Sequence, residues 1–279
     1  MSDCGKKIRL HRVLGGPGHR ALVVAFDHPL VLGPIPGTEN PVAQVRRFCD
    51  AQADAVLLNF GVLKQFADSP LEGPLPALIA RIDWTTVWSV FANGGKGELR
   101  STLVARPEEA LRHGADAVLT YMVVGTGNAD FESKEIARTA DVARECERVG
   151  MPLIVEALAR GKDVISPAAP RWLKHHTRIA YELGADAVKT DYAGDPVAMK
   201  EVVSNCPIPI LVLGGSRQGS DDEALEVVRG AAAGGAAGIF FGRNVFQSPD
   251  MSEFLRRARA ALEEKPRTSA REPVSPLTH

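Results

Sequence analysis

The chain has 279 residues, of which 45% are hydrophobic and 24% are charged, and its formal net charge is -1. This composition excludes a disordered or fibrous protein, and without a long basic run we expect neither nucleic acid nor a membrane as a partner. The four cysteines form no CxxC pair, so we expect reduced thiols in the cytoplasm rather than a disulfide framework or a zinc site. The basic N-terminus lacks the apolar run of a signal peptide.

A short phrase of small residues recurs along the chain. Near copies of Ala-Asp-Ala-Val begin at Ala53, Ala115 and Ala185, and a looser version begins at Ala236. Each copy follows a segment with helical periodicity and runs into a β-rich segment, which is typical of successive βα units. Apolar runs predict eight strands: Ala21–Phe26, Ala55–Phe60, Thr85–Val90, Ala117–Val123, Leu153–Leu158, Ala187–Asp191, Pro209–Leu213 and Gly238–Phe241.

Helix-length segments lie between these strands, among them Pro41–Ala51, Ser133–Arg148 and Asp221–Ala233. Eight alternating units predict an α/β fold of the closed (β/α)8 TIM-barrel type, with an open sheet as the alternative. We expect residues 1–264 to form this single domain. Residues 265–279 are rich in Pro, Ser, Thr and charge and predict a mobile tail.

Polar residues at the carboxyl ends of the predicted strands are candidates for the active site, because this is where such barrels carry their chemistry. Lys189 is the most informative of them. Strand side chains alternate, so if Val188 faces the helices then Lys189 points into the barrel, where it could act as a nucleophile. The alternative is a structural ion pair with Asp27 or Asp191.

Two carboxylates are candidates for proton transfer. Asp27 ends the apolar run of strand 1, and it could pair with Lys189 and shuttle protons or cap the loop 29–37 instead. Glu156 is a lone charge in a strand, and it suits general acid/base catalysis near neutral pH. A salt bridge from Glu156 to Arg160 at the barrel rim is the alternative.

Small and basic residues follow predicted strands 7 and 8: Gly214, Gly215 and Ser216 after the first, and Gly242 and Arg243 after the second. Glycines let backbone N–H groups approach an anion, and these two loops form the recurrent phosphate site of TIM barrels. An ordinary turn is the alternative for a glycine loop alone. Asn59, at the end of strand 2, is a further substrate-binding candidate. His175 and His176 have no second ligand at usable spacing, so we predict no metal site and place both on the surface.

Four segments together resemble a known family: Ala25–Pro29, Gly184–Pro196, Gly214–Ser216 and Phe241–Gln247. They are similar to the archaeal-type class I fructose-bisphosphate aldolases, the heptulosonate synthases and the wider deoxyribose-phosphate aldolase superfamily. The resemblance covers about residues 8–260. It implies that Lys189 forms a covalent imine without a cofactor or metal, that Asp27 is the strand 1 carboxylate, and that the subunits form a ten-subunit or other homo-oligomer.

One departure from the family pattern concerns strand 5. The family places a tyrosine in the phrase Tyr-Pro-Arg-Gly, whereas this chain has Leu158-Ala159-Arg160-Gly161. Glu156 lies on the same face and resembles the acid/base of the class I tagatose-bisphosphate aldolases.

We therefore expect a class I aldolase, a lyase, that acts on a phosphorylated ketose or related carbonyl compound. Its expected catalytic residues are Lys189, Asp27, Glu156 and Tyr121. An aldol-type synthase or a thiolase-like transferase on the same scaffold is the first alternative. A non-catalytic barrel that binds phosphometabolites is the second.

Overall fold

The computed structural model describes residues 4–70, 73–217 and 219–264, so the predicted tail, residues 265–279, lies outside the described residues. The strands are β1 (Ala21–Phe26), β2 (Ala55–Asn59), β3 (Ala77–Arg81), β4 (Asp83–Thr85), β5 (Ser101–Leu103), β6 (Ala117–Val124), β7 (Leu153–Ala159), β8 (Ala187–Thr190), β9 (Ile210–Leu213) and β10 (Gly238–Phe241). Eight of them close a parallel barrel in the order β1-β10-β9-β8-β7-β6-β3-β2, while β4 and β5 form a separate antiparallel pair. The predicted (β/α)8 barrel is confirmed.

Helices surround this barrel and connect its strands. They are α1 (Cys4–Leu14), α2 (Pro29–Leu32), α3 (Pro41–Asp50), α4 (Phe60–Ala67), α5 (Val87–Ala92), α6 (Pro107–Arg112), α7 (Ala129–Val149), α8 (Pro170–Glu182), α9 (Pro196–Ser204), α10 (Asp221–Ala233), α11 (Arg243–Phe246) and α12 (Met251–Glu263). The predicted helical segments 41–51, 133–148 and 221–233 correspond to α3, α7 and α10. None of the described helices is long and apolar enough to cross a membrane.

The alternation of side chains along each strand divides the core into two layers. In β1, Ala21, Val23 and Ala25 point into the barrel, and the residues between them pack against the helices. The same alternation places Val188 in the outer layer and Ala187 inside, as predicted, so Lys189 enters the barrel. Helix α1 precedes the barrel, and its Val13 packs on the interior apolar residues.

The predicted third strand, Thr85–Val90, is wrong. Residues 85–90 contain the last residue of β4 and the beginning of α5, whereas the barrel strand is β3, which ends at Arg81. The β-branched and aromatic residues of the segment 85–90 suggested a strand where α5 begins, and the charge of Arg81 interrupted the apolar run of the true strand. Arg81 is only 1% exposed. Carboxylates from other strands make this burial possible, and no local pattern reveals them.

Candidate active site

Six polar side chains enter the barrel at the carboxyl ends of six neighbouring strands, and all are buried: Asp27, Asn59, Arg81, Tyr121, Glu156 and Lys189. Tyr121, Glu156 and Lys189 stand side by side, because the register pairs Tyr121 with Glu156 and Glu156 with Lys189 across adjacent strands. Sequence analysis had selected five of the six. The structure adds Arg81 to them.

Lys189 lines a cavity of about 280 Å³. Its Nζ atom is 2.9 Å from Oε1 of Glu156 and 4.9 Å from the centroid of the Phe240 ring. The ion pair is therefore with Glu156, and not with Asp27 or Asp191 as the structural alternative for Lys189 supposed. The amine is enclosed by one carboxylate and one aromatic face, with its open side towards the cavity.

Arg81 links both candidate acid/base carboxylates. Its Nε donates to Oδ2 of Asp27 at 2.9 Å, its Nη2 also contacts Oε2 of Glu156, and its Nη1 donates to Asp83 at 3.3 Å. The guanidinium carbon lies 3.7 Å from the centroid of the Tyr121 ring. One buried cation thus fixes the positions of three carboxylates and one phenol ring. A lone charge in an apolar strand, the signal that identified Glu156, could also have identified Arg81.

The charges of this cluster set the protonation states of its members. Burial by itself raises the pKa of Asp27, but the Arg81 and Lys189 cations beside it lower that pKa below its ordinary value. Burial raises the pKa of the Tyr121 phenol well above its ordinary value despite the Arg81 cation, which lowers it, and the Glu156 and Asp27 carboxylates raise it further. At neutral pH Asp27 is therefore an anion, and Tyr121 keeps its proton.

The ion pairs continue from the cavity to helix α7. Asp83 accepts a hydrogen bond from the backbone N–H of Tyr121 at 2.8 Å and forms an ion pair with Arg138. Arg138 also donates to Glu135 at 2.6 Å and to the backbone oxygen of Tyr121 at 2.9 Å. Alternating charges therefore connect the middle of α7 with Lys189.

Arg81→Met should lower the free energy of unfolding by about 3–5 kcal/mol, because it leaves three carboxylates without their shared buried cation. Chemical denaturation of the purified chain measures this change. Arg100→Met is the matched control, since the Arg100–Glu98 pair is exposed and should contribute less than about 1 kcal/mol. Equal losses for the two variants would show that the buried cluster is not a stabilising element.

Glycine-rich turns after β9 and β10 form one side of the cavity. Gly215 has a φ of 65°, and a Cβ on Gly214 would lie 2.9 Å from the Phe241 ring, so both positions need glycine. The Asn244 side chain donates to the backbone oxygen of Gly214 at 2.9 Å and joins the two turns. Arg243 lines the cavity, and its buried Nε has no hydrogen-bond partner among the described residues. Burial lowers the pKa of this guanidinium.

Two further cavity residues, His28 and Trp88, were not predicted. A Cβ on Gly242 would lie 2.2 Å from Cε1 of His28, so the imidazole packs directly on that glycine. Burial lowers the pKa of His28 to about 4, which keeps the ring neutral at neutral pH. Trp88 meets the ring of Tyr121 edge-on, with centroids 6.1 Å apart. His28 directly follows Asp27 in the sequence, and Trp88 belonged to the wrongly assigned strand.

The predicted alternative for Glu156, a rim salt bridge with Arg160, does not form. Arg160 binds Asp191 instead, with nitrogen–oxygen distances of 2.9 and 3.2 Å. Asn59 does not line the cavity, and its Nδ2 donates to the backbone oxygen of Asp27 at 3.0 Å. It thereby supports the end of β1, and its predicted contact with substrate stays a prediction.

His176 is buried, so its predicted surface position is wrong, while His175 is exposed. His176 shares one face of α8 with Leu173 and Ala180, and that face packs on the barrel. Its Nε2 lies 2.7 Å from Oγ1 of Thr190, and burial lowers the pKa of the ring to about 3. Within the described ranges, no group of three or more His, Cys, Asp or Glu side chains could hold a metal ion.

The fold and site together define a barrel enzyme with a buried lysine on the sixth barrel strand, beside a carboxylate and in one cavity with two glycine turns. Residues 21–248 match the DeoC/LacD family of aldolases. This match covers most of the chain, and the chain belongs to that family. The predicted family is confirmed.

Individual relatives and solved structures indicate which kinds of aldolase the chain is similar to. The chain is 34% identical over 245 residues to 2-amino-4,5-dihydroxy-6-oxo-7-(phosphonooxy)heptanoate synthase of Streptomyces griseus, covering 88% of this chain and 85% of that protein. It is 32% identical over 243 residues to the class 1 fructose-bisphosphate aldolase of Thermoproteus tenax, with 85% and 87% covered. A solved archaeal fructose-1,6-bisphosphate aldolase, whose catalytic lysine carries the carbinolamine intermediate, superposes with a TM-score of 0.81 at 29% identity, covering 93% of this chain and 100% of that one.

The chain is therefore an enzyme of the class I aldolases, lyases that form a Schiff base between a lysine and the substrate and need no metal cofactor. The predicted enzyme class is confirmed. The alternative prediction, a non-catalytic barrel that binds phosphometabolites, is therefore wrong.

Proposed function

We propose that this aldolase makes or breaks a carbon–carbon bond in a phosphorylated ketose or related carbonyl compound, with Lys189 as the amine that forms the imine. One observation carries the assignment. Among the described residues, Lys189 is the only lysine that lines the cavity, and its Nζ lies 2.9 Å from Oε1 of the buried Glu156 carboxylate.

The reaction then follows from the positions of Lys189 and Glu156. The neutral amine attacks the ketone carbon, and loss of water leaves an iminium ion opposite the Glu156 carboxylate. In the cleavage direction, Glu156 takes the proton of the hydroxyl on the carbon that leaves as the aldehyde. The electron pair of the breaking carbon–carbon bond moves into the enamine. The enamine is then protonated at carbon, and water hydrolyses the imine to release the ketone and restore the amine.

We assign proton transfer to Glu156 because its two carboxylate oxygens have different partners. Arg81 binds Oε2, so Oε1 remains directed at Lys189. Leu158, which stands where the family has its tyrosine, is fully buried and does not line the cavity. Tyr121 does line the cavity and lies in register with Glu156, so its protonated phenol is the second candidate for proton transfer.

The phosphate of the substrate would bind between the turns after β9 and β10. Gly214, Gly215, Ser216, Gly242 and Arg243 all line this part of the cavity. Arg243 has no carboxylate partner among the described residues, which favours it as the ligand of an anion.

Borohydride reduction in the presence of dihydroxyacetone phosphate tests the proposal. Reduction converts the imine into a stable amine, and mass spectrometry of the digested protein then locates the added mass. We expect it on the peptide that contains Lys189. Labelling of Lys64, Lys96 or Lys162 instead would overturn the assignment.

Arg243→Ala should weaken binding of dihydroxyacetone phosphate by about 1.5–3 kcal/mol, roughly 10- to 150-fold, because a charge-assisted contact is lost. Binding of unphosphorylated dihydroxyacetone should hardly change. Arg217→Ala is the matched control, since Arg217 is already paired with Asp221 at 2.7 Å. Calorimetry with both ligands makes the comparison, and equal losses for both would assign Arg243 a structural function.

A synthase is the second candidate function, and the leucine at position 158 favours it. The strand 5 tyrosine that is usual in both the fructose-bisphosphate aldolases and the heptulosonate synthases is missing, which favours a specialised aldol or transfer reaction over glycolytic cleavage, and one relative is named as a heptanoate synthase. Product analysis with paired donor ketone and acceptor aldehyde distinguishes net synthesis from cleavage.

We also propose that the enzyme acts in the cytoplasm as a homo-oligomer, with neither nucleic acid nor a membrane as partner. Its four cysteines are unpaired, which suits a reducing compartment. Ile165 and Val197 are 91% and 80% exposed, and such apolar side chains suit contacts between subunits.

A further inference from the structure

The cavity around Lys189 has two chemically different ends. The phosphate end consists of the turns after β9 and β10 with Arg243, as described above. The second end, which we call the apolar end, is lined by four side chains from α2 and α5: Val31, Leu32, Trp88 and Ala92. In the barrel order, β10 and β9 lie diametrically opposite β6 and β3, and α5 lies between β3 and β6 in the chain. Trp88 and Ala92 of α5 therefore lie across the cavity from the phosphate end, and α2, which follows β1, packs against α5.

We infer that the aldehyde that this enzyme releases or consumes is uncharged and apolar, and that it binds at the apolar end. This inference rests on the proposed function, because it takes Lys189 as the imine-forming residue and the phosphate end as the site of the ketone's phosphate. It assigns one phosphate, and not two, to the complete substrate.

The charges that face the cavity support a single phosphate. The cations that line it, in the part of the chain that the structure describes, are Lys189 and Arg243. Lys189 is paired with Glu156 and becomes the imine, and His28 is neutral at neutral pH because burial lowers its pKa to about 4. Arg243 alone remains for an anion, and it belongs to the phosphate end.

Apart from Lys189 and Arg243, no lysine or arginine in the described part of the chain lines the cavity. The Arg160 guanidinium lies 5.5 Å from the Trp88 ring, but Asp191 holds it through two hydrogen bonds and it does not line the cavity. Lys162 lines a separate groove together with Val90 and Phe91 of α5. Helix α5 thus separates Lys162 from the apolar end. A phosphate placed there would lose hydration without gaining a counter-ion.

Exposed apolar surface at this end favours an apolar group. Leu32 is 46% exposed although it lies in a cavity wall, and Ala92 is exposed beside it. Helix α2 packs against α5, so these side chains form one continuous surface with Trp88. Covering this surface with an apolar group removes it from water, whereas a hydrated phosphate would not.

Aldol synthesis with dihydroxyacetone phosphate as donor tests the inference. We would compare butyraldehyde with glyceraldehyde 3-phosphate as acceptor and expect kcat/KM to be at least about tenfold higher for butyraldehyde. Ala92→Lys places a cation at the apolar end and should reverse this preference. Ser89→Lys is the matched control, because Ser89 is an exposed residue of α5 that does not line the cavity, and the preference should stay as in the unmodified chain.

The possible failures are distinguishable. If dihydroxyacetone phosphate forms no borohydride-trapped imine, the proposed function and this inference are both overturned. If the imine forms but the unmodified enzyme prefers glyceraldehyde 3-phosphate, the inference alone is wrong. Loss of that preference in Lys162→Ala would then place the second phosphate in the groove beyond α5.

Discussion

Lys189→Arg should lose borohydride trapping completely and turnover by more than about 10³-fold, while the barrel stays folded. The guanidinium keeps a positive charge opposite Glu156, so the ion pair that holds β7 to β8 survives. It cannot form an imine, because it stays protonated and its nitrogen electrons are delocalised. Steady-state kinetics and mass spectrometry after reduction measure the two losses.

Lys162→Arg provides the control for this prediction. Lys162 lies outside the cavity, so the exchange should leave trapping and turnover as they are. Thermal unfolding of both variants checks that the barrel persists. If the Lys189→Arg protein still traps substrate, another lysine is the nucleophile and the assignment of Lys189 is wrong.

Glu156→Gln should reduce turnover by roughly 10²–10⁴-fold, the usual contribution of one general acid/base. The amide has the shape of the carboxylate and can still accept a hydrogen bond from Lys189, but it cannot take up a proton. Imine trapping with dihydroxyacetone phosphate should therefore persist on Lys189 while carbon–carbon bond cleavage nearly stops. Single-turnover trapping and steady-state kinetics separate the two steps.

Glu135→Gln is the matched control for this substitution. Glu135 is also buried and paired with an arginine, Arg138, but it lies on α7 outside the cavity. Its replacement should cost stability and leave turnover nearly unchanged. If both variants lose turnover to the same extent, Glu156 acts by holding Arg81 in place, and proton transfer passes to Tyr121 or Asp27.

Regular periodicity made much of this molecule predictable from its sequence. Seven of the eight barrel strands were located because each is a short apolar run, and four of them follow a copy of the recurrent small-residue phrase. The alternation of side chains then placed Lys189 and Glu156 inside the barrel without any knowledge of their partners. The partners themselves could not be predicted, because they depend on which strands the fold brings together. The predicted partner of Glu156 was Arg160, four residues away. Glu156 instead binds Arg81, which precedes it by 75 residues.

Arg81 and His176 were missed for the same physical reason. A polar side chain is expected at the surface unless something compensates its burial. For Arg81 the compensation comes from Asp27, Asp83 and Glu156, and for His176 it comes from Thr190 at the end of β8. Such compensation joins residues that are distant in the chain, so local composition does not reveal it.

The shared cation at Arg81 also limits which amino-acid replacements related enzymes can accumulate in this cluster. Because one guanidinium pairs with carboxylates from three positions, a lone replacement of Arg81, Asp27 or Glu156 changes the charge balance inside the barrel. Changes here are therefore strongly non-additive, and a lone replacement lowers the stability of the barrel more than a coordinated one does. We expect homologues to retain the group as a unit or to have exchanged it as a unit. Residues at the apolar end form no ion pairs with one another and can be replaced one at a time. The preference for an acceptor aldehyde can therefore evolve faster than the imine chemistry.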